Sequence, residues 1–191
     1  MNTPPVALQD THLPDVKLIA LQAFADARGY FLESFRTQRY QGLPGQNGLF
    51  VQDNFSHSKQ GVLRGLHFQH PNGQGKLVRA VLGEIYDVTV DVRVGSPTFG
   101  HWQGLTLSGE KAQQLWVPPG YAHGFLVLSE QALVEYKCTA YYAPQNEACL
   151  RWDDPELGIN WPCRQPLLSD KDSQGLTLTN LRATGRCPSF A

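Results

Sequence analysis

The chain has 191 residues, 41% of them hydrophobic and 17% charged, which is enough for one sizeable core and too apolar for a disordered chain. A net charge of −1 excludes recognition of nucleic acid or an anionic membrane by bulk charge, so an anionic ligand must be met by a local set of Arg, Lys and His. No apolar run approaches the ~20 residues of a membrane span, and the opening Met1-Asn2-Thr3-Pro4-Pro5 lacks the basic and apolar parts of a signal peptide.

There is no internal repeat, low-complexity tract or linker, so residues 1–191 read as a single domain. Residues 1–15 are polar, with prolines at 4, 5 and 14, and read as an arm. Val16–Leu21 reads as a first strand. Asp26-Ala27-Arg28-Gly29 is a turn in which glycine supplies positive φ, and Tyr30–Phe35 alternates as a strand. Thr37–Gln41 is one helical turn before the Gly42-Leu43-Pro44-Gly45 loop. Short strands then follow at Leu49–Phe55, Val62–Phe68, Lys76–Leu82, Ile85–Val94, His101–Leu107, Gln114–Val117, Gly124–Leu128 and Leu133–Thr139. Glycine, proline or serine punctuates most joints, and no useful helical period appears between residues 50 and 140. This pattern predicts a mainly β, double-sheet jelly roll with short helical turns. The irregular residues 144–175 open a C-terminal covering segment over 144–191.

Chemistry concentrates first in Gly61-Val62-Leu63-Arg64-Gly65-Leu66-His67-Phe68-Gln69, where a cation and a titratable base lie three residues apart. Cupin jelly rolls hold a metal through a glycine, five residues, His-x-His and a following Glu, with a later Pro-x-Gly-x-x-His. Here Gly61 and His67 open the first motif, and Pro118-Pro119-Gly120-Tyr121-Ala122-His123 supplies the second. Gln69 replaces the second histidine, and no Glu lies between Phe68 and Leu82. Two imidazoles fall short of the three protein ligands of a catalytic metal site, so the reading is a cupin-like fold without a metal. The cysteines, Cys138, Cys149, Cys163 and Cys187, form no CxxC pair and read as reduced thiols of a cytoplasmic protein.

Two histidines without a metal suit general acid–base chemistry. A base needs a carboxylate to orient it, and Asp172, Asp53, Asp87 and Asp91 compete for that place. Tyr136, Cys138, Ala140 and Tyr142 share a strand face, as do Gln52 and Asn54. Arg64 and His67 fall on opposite faces of a regular strand and meet one cavity only if a bulge sits at Gly65. His12, His57 and His101 read as structural imidazoles.

Over nearly its whole length the chain resembles the dTDP-4-dehydrorhamnose 3,5-epimerase family, metal-free cupin-fold enzymes of nucleotide-sugar synthesis. The resemblance rests on Phe24 to Phe35, Phe50-Val51-Gln52-Asp53-Asn54, Gly61 to Gln69, Gly75-Lys76-Leu77-Val78-Arg79, Pro118 to Phe125, Glu135-Tyr136-Lys137, Tyr141-Tyr142-Ala143-Pro144, Trp152-Asp153-Asp154-Pro155 and Leu168-Ser169-Asp170-Lys171-Asp172. It implies His67 as base, Asp172 as its partner, Tyr136 as acid on the opposite face, and Lys76 as the enolate-stabilising cation. It further implies substrate contacts from Gln52, Asn54, Arg64, His123, Glu147 and Lys171, and aromatic contacts from Phe24 and Tyr142. Arg28 and Glu33 would reach the nucleotide from the other subunit of a homodimer that exchanges residues 1–35. The implied reaction is epimerisation of dTDP-4-dehydro-6-deoxy-D-glucose at C3 and C5 in dTDP-L-rhamnose biosynthesis, with no cofactor. Relatives that invert one carbon keep the same base and tyrosine, so a single-centre epimerase is the alternative.

Overall fold

The structure is a computed structural model and describes residues 5–46 and 48–190. The first four residues of the arm and of the chain's opening lie outside the described residues. In chain order the strands are β1 (Ala7–Asp10), β2 (Lys17–Ala20), β3 (Ala23–Asp26), β4 (Gly29–Leu32), β5 (Gln52–Lys59), β6 (Leu63–Gln69), β7 (Lys76–Leu82), β8 (Glu84–Asp91), β9 (Trp102–Ser108), β10 (Gln113–Val117), β11 (Tyr121–Val127), β12 (Gln131–Cys138) and β13 (Glu147–Cys149). Two short helices, α1 (Asp170–Ser173) and α2 (Leu178–Ala183), follow, and single 3-10 turns occupy Thr37–Arg39 and Pro144–Asn146.

The strands form the two facing antiparallel sheets of a jelly roll. One has the order β1-β2-β10-β7-β12-β5, the other β13-β6-β11-β8-β9, and β3-β4 stands apart as a hairpin. Between the sheets, Val78, Ala80 and Val134 pack against Ile85, Leu107, Phe125 and Val127. Each buried side chain of this size stabilises the fold by roughly 1.5–3 kcal/mol before entropy is counted. The backs of the sheets are covered too. Tyr40 and Leu43 lie over Ile19, Leu77 and Trp116 of the larger sheet, while Leu150, Leu157, Leu178 and Leu181 lie over Val88, Val90 and Ala122 of the smaller one. Burial on both faces explains why β11 reads as a nearly continuous apolar run, while β8 buries Asp87, Thr89 and Asp91 among its apolar residues.

The sequence expectations and the fold differ where the hydrophobic signal is weak. The strand expected at Leu49–Phe55 is β5, displaced to Gln52–Lys59. Its inward positions, Gln52, Asn54, Ser56 and Ser58, are polar, so alternation gives no apolar stripe. β1 lies within the expected arm and is exposed throughout. The covering segment packs on the back of the smaller sheet through Leu157 and α2, and approaches the opening between the sheets through Glu147 of β13 and through Ser169 and α1.

Candidate active site

At one end of the sandwich the apolar core gives way to a cavity of 460 Å³. On the larger sheet the register builds its wall in rungs. Lys76, Cys138 and Gln52 are cross-strand neighbours on β7, β12 and β5, and Val78, Tyr136 and Asn54 form the next rung on the same face. The shared face expected for Gln52 with Asn54, and for Tyr136 with Cys138, is therefore present. β12 ends at Cys138, so Tyr142 reaches the cavity from the loop beyond, where its N–H donates to Gln52 Oε1 at 2.8 Å.

The smaller sheet supplies Arg64 and His67 from β6 and His123 from β11. His123 pairs with His67, but Phe125 pairs with Arg64, so two residues of β6, Gly65 and Leu66, oppose one of β11, Gly124. That is a bulge, and it brings Arg64 and His67 to one cavity despite their odd spacing. Gly65 makes it feasible with φ of +110° and a backbone pressed against Gly124: a Cβ at Gly65 would lie 2.6 Å from Gly124 Cα and 2.7 Å from His123 O. Only glycine meets both demands without strain.

His67 Nε2 is 2.5 Å from Asp172 Oδ1. An ionised carboxylate only accepts, so Nε2 carries the proton and the neutral ring keeps its lone pair on Nδ1, 4.0 Å from Glu147 Oε1. Ser169 secures Asp172 twice, donating from Oγ to Oδ2 at 2.8 Å and accepting from the Asp172 N–H at 3.2 Å as N-cap of α1. Burial disfavours the ionised carboxyl of Asp172, but the bonds from His67 and Ser169 outweigh it and hold the group below its usual range. Lys76 is buried, donates to His67 O at 3.3 Å, and has its pKa pushed down by burial. Burial also pushes the Tyr136 phenol up, which keeps its proton available for donation. His123 Nε2 lies 2.8 Å from Asp87 Oδ2. At the mouth, Lys171 bonds both oxygens of Glu147 at 3.1 and 2.9 Å, and Tyr142 OH donates to Glu147 Oε2 at 3.0 Å.

Eleven of the residues singled out from the sequence thus converge: His67, Tyr136, Asp172, Lys76, Gln52, Asn54, Arg64, His123, Tyr142, Glu147 and Lys171. Phe24, Arg28 and Glu33 do not line this cavity. Phe24 sits exposed on the β3–β4 hairpin, Arg28 holds Asp26 in the turn, and Glu33 binds Arg36 and Arg39 beyond it. Sequence reasoning missed Ser169, although Ser169-x-x-Asp172 is a capping pattern that signals it. His57, expected to be a hydrogen-bonded structural imidazole, meets Gln131 Oε1 at 3.0 Å and also lines the cavity. Among the described residues no carboxylate pairs with Arg64, whose Nε donates to Ser58 Oγ at 2.9 Å. The rest of its guanidinium fork suits a phosphate.

A metal of the kind held by other cupins does not fit these residues. His67 and His123 are ladder neighbours, but their Nε2 atoms are engaged by two different carboxylates. The Gln69 amide is spent on the backbone of Asn72, Tyr141 and Ala143. What remains is a carboxylate-held imidazole on one wall, a phenol on the other, and a buried ammonium beside them. On a double-sheet jelly roll these define a cupin-like enzyme equipped for proton transfer. The chain belongs to the dTDP-4-dehydrorhamnose 3,5-epimerase family, whose sequence profile matches residues 10–180.

It is 56% identical over 169 residues to a dTDP-4-dehydrorhamnose 3,5-epimerase of Neisseria gonorrhoeae, covering 88% of this chain and 51% of that longer relative. A dTDP-4-dehydrorhamnose 3,5-epimerase of Pseudomonas aeruginosa is 54% identical over 164 residues, covering 85% of this chain and 91% of the relative. The crystal structure of dTDP-6-deoxy-D-glucose-3,5-epimerase from Legionella pneumophila in complex with dTDP-4-keto-L-rhamnose is similar with a TM-score of 0.92 and 48% identity, covering 97% of this chain and 99% of that one.

Proposed function

We propose that this chain converts dTDP-4-dehydro-6-deoxy-D-glucose into dTDP-4-dehydro-L-rhamnose by inverting C3 and C5. The C4 ketone acidifies the hydrogens on both carbons, because the resulting carbanion is an enolate. His67 removes each proton through Nδ1, and Asp172 stabilises the imidazolium from the other side of the ring. Charge collects on the C4 oxygen, where the Lys76 ammonium, already in place and poorly solvated, acts most strongly in the transition state. Tyr136 returns a proton on the opposite face, and proton transfer of this kind contributes roughly 10²–10⁴-fold to rate. Arg64, His123, Gln52 and Asn54 bind and orient the substrate, and Tyr142, Glu147 and Lys171 close the mouth.

We assign Phe24, Arg28 and Glu33 to the nucleotide end of a second copy's site, in a homodimer that exchanges residues 1–35. Their absence from their own chain's cavity supports this, as do Phe24 and Phe31, left 62% and 71% exposed on the hairpin. We place the reaction in the cytoplasm, a reading supported by four free cysteines. No helix among the described residues is long and apolar enough to cross a membrane.

The observation that carries the proposal is the convergence of His67 with Asp172 and, from the facing sheet, Tyr136 on one cavity. NMR of the product formed in D2O from the 4-keto sugar nucleotide tests it. Deuterium at both C3 and C5 is expected; deuterium at one carbon alone would replace it with the single-centre reaction.

A further inference from the structure

We infer that His67, Cys149 and Asp172 form a binding site for a zinc-like divalent cation, and that this ion shuts the enzyme off by occupying the base. The inhibition rests on the function proposed above; the metal site does not. Cys149 has no part in the proposed mechanism, yet in the β13–β6 ladder it is the direct neighbour of His67. The third donor arrives from α1. One ligand atom from each of the three residues lies within 4.8 Å of the other two, with Cys149 Sγ 4.0 Å and His67 Nε2 2.5 Å from Asp172 Oδ1.

Zinc bonds of about 2.0–2.3 Å at tetrahedral angles put donor atoms roughly 3.3–3.8 Å apart. The Cys149–Asp172 separation is already close to that span. The His67–Asp172 pair must open by about 1 Å, a shift of one carboxylate oxygen while the other stays on Ser169. A mixed N, S and O donor set favours zinc over magnesium or calcium, which take oxygen. Three protein ligands leave a fourth position for water. This set shares only His67 with the cupin arrangement rejected above.

The protons balance. On binding, the Cys149 thiol loses its proton to solvent, and the His67 ring proton moves from Nε2 to Nδ1, where Glu147 Oε1, 4.0 Å away, receives it as a hydrogen bond after closing by about 1 Å. Glu147 thereby becomes the outer carboxylate of a carboxylate–histidine–metal chain. The dication with one thiolate and one carboxylate is neutral, which suits a half-buried site. The metal-bound ring has no lone pair left for substrate.

The test uses the intact purified chain with Zn2+ and Co2+ separately, in the wild type and in Cys149→Ser and Cys149→Ala. One Zn2+ per chain by equilibrium dialysis is expected, with a near-ultraviolet thiolate-to-cobalt band for Co2+. Both variants should lose the band and bind Zn2+ at least ~100-fold more weakly, since even outer-shell partners are worth 10–100-fold. Zn2+ should stop wild-type turnover reversibly, with EDTA restoring it. Both variants should turn over normally and resist the same Zn2+ concentration. Absence of the cobalt band, or equal zinc inhibition in the variants, overturns the site. A chain that shows the band but no epimerase activity keeps the site and sinks the proposed function instead.

Discussion

Gly65→Ala is the substitution on which the geometry of the active site bears most sharply. Gly65 has φ of +110°, and an alanine held there costs about 1–3 kcal/mol in backbone strain. Its Cβ would also stand 2.6 Å from Gly124 Cα and 2.7 Å from His123 O, both backbone atoms that no rotamer change can move. Parting β6 from β11 to make room adds about 1–3 kcal/mol, as overpacking does elsewhere. The expected loss is therefore about 2–6 kcal/mol, a large share of the 5–15 kcal/mol typical of a domain. Because Arg64 and His67 flank this bulge, a displacement near 1 Å should also lower kcat by about 100-fold. Gly61→Ala is the control: its φ is +80°, but no atom lies within 4 Å of the added Cβ, so it carries the backbone cost alone. Urea unfolding gives the stabilities and product NMR gives the rates. If Gly65→Ala proves as stable and active as Gly61→Ala, the close approach of the two strands does not hold the site together.

Further substitutions separate chemistry from folding. His67→Ala should abolish turnover while the chain stays folded, with an unfolding midpoint lowered by the loss of the bond to buried Asp172; near-normal turnover would remove His67 from the base role. Asp172→Asn should lower kcat by about 10²–10⁴-fold with a much smaller change in KM, measured by steady-state kinetics, because it removes the carboxylate that holds the imidazole. Arg93→Met should cost about 3–5 kcal/mol in urea unfolding. Arg93 bonds the buried Asp91 at 2.8 Å, and its loss leaves a carboxylate with Ser96 and Thr98 as its side-chain partners. Asp91 also sets a pH dependence. Burial disfavours its charge, but Arg93, Ser96 and Thr98 together hold its pKa below the ordinary 3.8. The folded state then binds its proton more weakly than the unfolded state. Its contribution is complete above the unfolded value and is lost as pH falls through the lower folded value. Stability measured down from pH 6 should drop below about pH 4, and the drop should shrink in Asp91→Asn.

Much of the jelly roll was legible because its central strands announce themselves. From Lys76 to Cys138 the apolar runs are bounded by glycine, proline or serine, and strand ends fall within a few residues of expectation. β5 was displaced because its inward residues serve the cavity and are polar. β13 and α2 were missed because three and six residues are too short to carry a periodic signal. Among site residues, His67, Lys76 and Tyr136 stand in recognisable local patterns, whereas the partner of His67 depends on contacts distant in sequence. Of the four competing carboxylates, Asp172 meets His67, Asp87 meets His123, Asp91 meets Arg93 and Asp53 meets Lys137. Nothing local distinguishes these roles. The bulge at Gly65 was legible only as a requirement, since it exists through the approach of Gly124 from β11.

The division of labour between the two walls is tested most directly by following solvent deuterium through Tyr136→Phe and His67→Ala. In D2O, Tyr136→Phe should still exchange substrate hydrogens next to the C4 ketone, because His67 can remove a proton and return a deuteron on the same face, but should invert neither carbon at a normal rate. His67→Ala should neither exchange nor invert. Inversion by Tyr136→Phe at the wild-type rate, or exchange persisting in His67→Ala, would contradict a base on one wall and an acid on the other.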